Sequence, residues 1–103
     1  MSYRFKKKTG TASTAGSIIY AVPSTNVLSI IGCRASNKDS DNPHTFHITI
    51  DDVLVSGYET PLPIGSAIDI MVGSKIIVEP GSVIKAYSDA NDSVDVYISY
   101  LEQ

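Results

Sequence analysis

From Thr45 onward, hydrophobic and polar residues alternate in short runs: TFHITI, DVLVSGYE, SAIDIMV, KIIVE, SVIKAYS and SVDVYISYLEQ. Turn-forming residues divide them at Asp51-Asp52, 61–65, Gly73, Pro80-Gly81 and 89–92. A period of two sends successive side chains to opposite faces of a strand, so these runs predict an antiparallel sandwich or barrel. Phe46, Ile48 and Ile50 are expected to face the core, with His47 and Thr49 outward. Asp51-Asp52 reads as a hairpin turn, and Glu79-Pro80-Gly81-Ser82 places Pro and Gly where a type II turn wants them.

The first half continues the pattern. Residues 2–8 read as a strand with Tyr3 and Phe5 on one face and Arg4 and Lys6 on the other. Residues 9–17, TGTASTAGS, are small and polar and read as a flexible link. Residues 18–22 form a strand stopped by Pro23. Residues 26–35 form another, with Leu28 and Ile30 on one face, Ile31 and Cys33 on the other, and Gly32 marking a bulge or a close approach. SNKDSDNP, residues 36–43, is the strongest loop signal and reads as a protruding tip. No segment keeps the three-and-four spacing of a helix. The expected fold is all-β, an antiparallel two-sheet β-sandwich (jelly-roll or Ig-like) of about eight strands with minimal helix. Its expected core is Ile18, Leu28, Ile30, Phe46, Ile48, Ile50, Ile68, Ile70, Ile76, Val78, Ile84, Val94, Val96 and Ile98.

A chain of 103 residues, 43% hydrophobic, makes one domain; residues 18–103 would be the sandwich itself. Charge is sparse at 18% and unevenly placed. Arg4, Lys6, Lys7 and Lys8 crowd the first eight residues, and the rest carries four basic against eleven acidic groups, a net of −7. A basic arm at 1–8 on an acidic body suits an acidic partner, although lysines on an edge strand also guard against aggregation. The run is too short to argue for nucleic acid. Cys33 has no partner for an intrachain disulfide and reads as a small buried hydrophobe. No run of ~18 apolar residues marks a membrane span, and the N-terminus lacks the apolar core of a signal peptide. Synthesis and use or assembly in the cytosol are therefore expected.

Candidate chemistry is thin. His44 and His47 lie three apart and would point to opposite faces of a strand, where exposed histidines are the expectation and a shared metal is not. Asp39, Asp41 and Asn42 lack the glycine and the terminal Glu of a calcium loop, since the twelfth position from Asp39 is Ile50. No nucleophile elbow, phosphate loop or carboxylate pair stands out, so neither enzyme nor cofactor is expected. Contacts are expected from Tyr3, Arg4, Phe5, Lys6, Lys7 and Lys8 in the arm, from Lys38, Asp39 and Asp41 in the loop, and from Tyr58, Tyr87 and Tyr97 at outward positions or sheet margins.

The order IIYAVPSTNVLSIIGCRASN, HTFHITIDD, PLPIGSAIDIMVGSKIIVEPGSVIKAYSDANDSVDVYISYLEQ resembles a group of small virion proteins of tailed bacteriophages. The residues that carry the likeness are Tyr-x-Val-Pro at 20–23, Asn37, Pro-x-Gly-Ser at 63–66, the lysine-to-Glu-Pro-Gly turn at 75–81, and the closing strand at 94–102. The resemblance implies a β-sandwich used structurally on the capsid shell, neck or tail, in a virion assembled in the host cytoplasm, with no catalytic residues. It implies the major capsid protein or other virion proteins as partners, and many copies forming a trimer or ring. The alternative is a fibre-type module that recognises a sugar or receptor through residues 36–43 and the exposed tyrosines.

Overall fold

A computed structural model describes residues 4–70 and 75–102. Tyr3, the Met71-Val72 end of the SAIDIMV run and the turn expected at Gly73 lie outside the described residues. The strands are β1 (Arg4–Thr11), β2 (Ser17–Ala21), β3 (Leu28–Asn37), β4 (His44–Ile50), β5 (Val53–Leu54), β6 (Thr60–Leu62), β7 (Ala67–Asp69), β8 (Ile76–Val78), β9 (Val83–Ser88) and β10 (Val94–Glu102). No helix occurs among the described residues.

Two sheets form. One runs β1-β10-β3, with β7 and β8 sharing the far edge of β3; the other runs β2-β9-β4, with β5 and β6 sharing the far edge of β4. Every pairing between these strands is antiparallel. Ten strands thus occupy eight positions, which reconciles the expected number with the larger one seen. Successive strands β1 to β4 alternate between the sheets, and β7/β8, β9 and β10 alternate again, which is jelly-roll topology.

The core lies between the sheets. Val94, Val96, Ile98 and Tyr100 of β10 point inward while Asp95 and Tyr97 point out. Phe46, Ile48, Leu28, Leu62, Ile84 and Val78 complete its densest part. Of the expected core, Ile50, Ile68, Ile70 and Ile76 are only partly buried against it.

Ile18 is a correction: it is 61% exposed, whereas Ile19 is 7% exposed. The β2–β9 register slips between Ile18 and Tyr20, and one extra residue exchanges the faces of a strand. The same physics corrects β3. A bulge at Ile31, beside Gly32, shifts the phase, so Cys33 joins Leu28 and Ile30 on the core face instead of opposing them. Burial pushes the Cys33 thiol up to about 12.

The arm is not separate from the body. β1 runs through the expected boundary at residue 9 and pairs with β10 along its whole length, and Ala12 is buried. Residues 9–17 are therefore partly strand and partly core rather than a loose link. The turns follow local chemistry: Asp51 and Asp52 both take positive φ, 50° and 65°, as a two-residue type I′ hairpin needs. Gly81 at φ 82° lets the Ser82 amide donate to the Glu79 carbonyl at 3.2 Å.

Candidate functional site

β1 ends its sheet, so one of its two edges has no strand beside it among the described residues. Alternation splits its charged run. Arg4, Lys6 and Lys8 lie on the side facing the second sheet, while Phe5 and Lys7 lie on the outer face opposite Leu101 and Ser99. Lys6 Nζ reaches Glu102 Oε1 at 2.7 Å, and Lys8 Nζ stands 4.7 Å from the centroid of the Tyr20 ring. Phe5 is 80% exposed, and register places Phe5, Leu101, Ser29 and Ile77 in one row across four strands. Edge, Phe5, Arg4 and Lys7 are thus available to a partner, while Lys6 and Lys8 help to close the fold.

Glu102 is the residue this end of the sandwich is built around. It is buried, accepts hydrogen bonds from Lys6 and from the Tyr20 hydroxyl, and lies beneath the Tyr20–Tyr100 ring pair, whose centroids are 5.5 Å apart. Burial alone would raise its carboxyl, but the bonds from Lys6, Tyr20 and Asn26 outweigh that and hold it below the ordinary value. Burial first, then the bond to Glu102, pushes the Tyr20 phenol up. The period of two, which sets Glu102 on the face of Tyr100, was the available signal for this cluster.

The loop after β3 is organised by a histidine. His44 is buried, not exposed as expected: its Nε2 lies 2.7 Å from Asp39 Oδ2 and its Nδ1 lies 2.9 Å from Asp89 Oδ1. Asp39 Oδ1 also accepts from the Asp41 and Asn42 amides at 2.8 and 3.3 Å. The bond to His44, joined by those amides, draws the Asp39 carboxyl down to about 2. Asp39 therefore frames its own loop, with its side chain still partly exposed. Lys38 is paired with Asp95 at 3.1 Å, and Asp41 is exposed.

The tyrosines do not converge. Tyr58 is 65% exposed and flanks His47, which stacks on half-buried Tyr87 at 4.6 Å, all on the outer face of the β2–β9–β4 sheet. Gly16 fits against Tyr87 because a Cβ there would come within 2.5 Å of the ring. Tyr97 stands on the opposite sheet. Among the described residues no group of three or more His, Cys, Asp or Glu side chains is arranged to hold a metal ion, and no helix is long and apolar enough to cross a membrane.

The fold and these surfaces define a jelly-roll module with an open basic edge. No protein-family model matches the chain, and no curated protein or solved structure is significantly similar to it.

Proposed function

We propose that this protein is a structural component of a tailed-bacteriophage particle, a capsid decoration protein that docks many copies on the assembled shell through the edge of β1. The observation that carries this reading is the eight-residue end strand with one edge unpaired among the described residues, exposed along its first six residues and positively charged on an otherwise acidic chain. An extended partner segment can add to such an edge by main-chain hydrogen bonds while side chains select it. Its occupant is acidic and is not a second β1, because two copies would set Arg4, Lys6, Lys7 and Lys8 against the same four cations. Jelly rolls recur in viral shells, which supports the reading by analogy; the assignment to a tailed phage is carried over from the sequence motifs at 20–23, 63–66, 75–81 and 94–102 alone. A module that binds only assembled subunits shifts the equilibrium toward assembly by mass action. A closed ring or trimer of such modules would match the symmetry of the lattice.

The test is the double variant Arg4→Ser/Lys7→Glu, which puts no carboxylate opposite Glu102 and spares its pair with Lys6. Its expected result is a folded protein whose copies per particle fall by about tenfold or more. Unchanged copy number overturns the reading.

A further inference from the structure

The outer face of the β1–β10–β3–β7 sheet carries a trough of about 800 Å³, within the size range of small-ligand sites. Register sets its rows: Thr11, Asp95, Ser36; then Thr9, Tyr97, Arg34, Asp69; then Ser99, Gly32, with Lys7 next in that row but outside the lining. At two residues per row, the first and third lie about 14 Å apart. Tyr97 stands in the middle row, 44% exposed, with Lys7 Nζ over its ring at 5.9 Å from the centroid, near the ~6 Å limit of a cation–π contact, so a ligand that stacks there has only a loosely held lysine head to move aside.

We propose that this trough binds the neutral pyranose chain of a polysaccharide, with Tyr97 as stacking platform and the Arg34–Asp69 and Lys38–Asp95 pairs as partners for sugar hydroxyls. Three observations converge on that ligand. The floor is kept low at Gly32, whose φ is not positive, so its backbone conformation does not demand glycine; a Cβ there would stand in the trough, 3.3 Å from Ser99 Oγ. Glycine inside a strand marks a bulge or a close approach, and Gly32 combines the two, standing beside the bulge at Ile31 and lining the trough. The flanking charges are already balanced, because Arg34 holds Asp69 at 2.7 and 3.2 Å and Lys38 holds Asp95 at 3.1 Å. Lys7, beside the Tyr97 ring, is then the one cation at the trough that no carboxylate pairs among the described residues, too few for a phosphate or nucleic-acid chain, which draws on several. Both carboxylates nevertheless keep lone pairs, and Arg34 keeps N–H donors beyond the two that Asp69 uses, which suits neighbouring hydroxyls. The apolar face of a pyranose then covers the one aromatic ring in the trough.

The experiment titrates the full chain, followed by amide NMR, with cellohexaose, maltohexaose, laminarihexaose and α-1,6-mannohexaose, and with a heparin hexasaccharide as charged control. Saturable shifts from at least one neutral sugar are expected at Thr9, Gly32, Arg34, Tyr97 and Ser99. Tyr97→Ala should weaken binding about tenfold or more, and Tyr97→Phe should restore it. Gly32→Val should abolish it, and Tyr58→Ala should leave it unchanged. If Tyr97→Ala disturbs the spectrum of the fold, Arg34→Ala, exposed and outward, is read in its place. No saturable shift from any neutral sugar, binding of the sulfated control alone, shifts outside the trough, or full affinity in Tyr97→Ala overturns the proposal. Its failure is distinct from failure of the docking reading, since Tyr97→Ala leaves the β1 edge intact and should keep its copy number on the particle.

Discussion

A neutral imidazole offers one N–H, yet His44 faces a carboxylate at each ring nitrogen. Both contacts are satisfied only by the imidazolium, which donates twice. The Asp39 bond, aided by Asp89 and opposed by burial, raises the His44 pKa above 6.5. His47 moves the other way: burial against its aromatic neighbours lowers it, with Glu59 opposing. Proton NMR titration should therefore resolve two inflections, His44 above and His47 below 6.5. The consequence for stability has a definite sign. A raised histidine contributes fully below its unfolded pKa and loses the contribution as pH rises through the folded one. Asp39, lowered to about 2, contributes above the ordinary carboxylate range and loses it on acidification. The clamp between residues 39 and 89 should thus hold at mildly acidic pH and open on the alkaline side of the His44 inflection, which lies above the ordinary histidine value. A fall in amide protection at Asp41 and Thr45 above that pH, with exchange rates corrected for their intrinsic base catalysis, is the expected result, and His44→Asn should remove that step. Opposite faces for the two histidines were legible in the sequence. The burial of His44 was not, because Asp89 comes from a turn 45 residues away.

At the level of elements, β1 does two things with one charged run. Its inward lysines satisfy the Glu102 and Tyr20 cluster, while Phe5 and Lys7 on its outer face are exposed and its far edge has no strand beside it among the described residues. Removing residues 1–11 would take Lys6 from a buried carboxylate and strip β10 of a neighbour, leaving a hydrophobic strand as the new edge. That truncation should lower stability by more than about 2 kcal/mol, from the lost pairing and the desolvated charge. It should also promote self-association through the exposed edge. Urea unfolding and light scattering check the two effects. A strand at this position was readable from Phe5 against Arg4 and Lys6. Its extension to Thr11 was not, because small polar residues such as Thr9, Gly10 and Thr11 suit a link as well as a strand, and only pairing with residues 95–97 decides.

Across the whole molecule, both sheets share one continuous core, so unfolding should be a single cooperative transition. Phe46, 1% exposed at its centre, tests this: Phe46→Ala should cost about 3–5 kcal/mol while keeping one transition, as checked by calorimetry. The alternation along β4, β9 and β10, the hairpin at Asp51-Asp52 and the turn at Gly81 were written in the sequence, because a period of two and the φ demands of a turn are local properties. From them alone follow the all-β class, the sandwich and most of its interior. What only the tertiary structure decided is non-local. The bulges at Ile19 and Ile31 moved Ile18 outward and Cys33 inward, Glu102 met Lys6 across 96 residues, and four strands assembled the trough around Tyr97. Register between strands distant in sequence is set by the packing of the whole, and no window of the chain contains it.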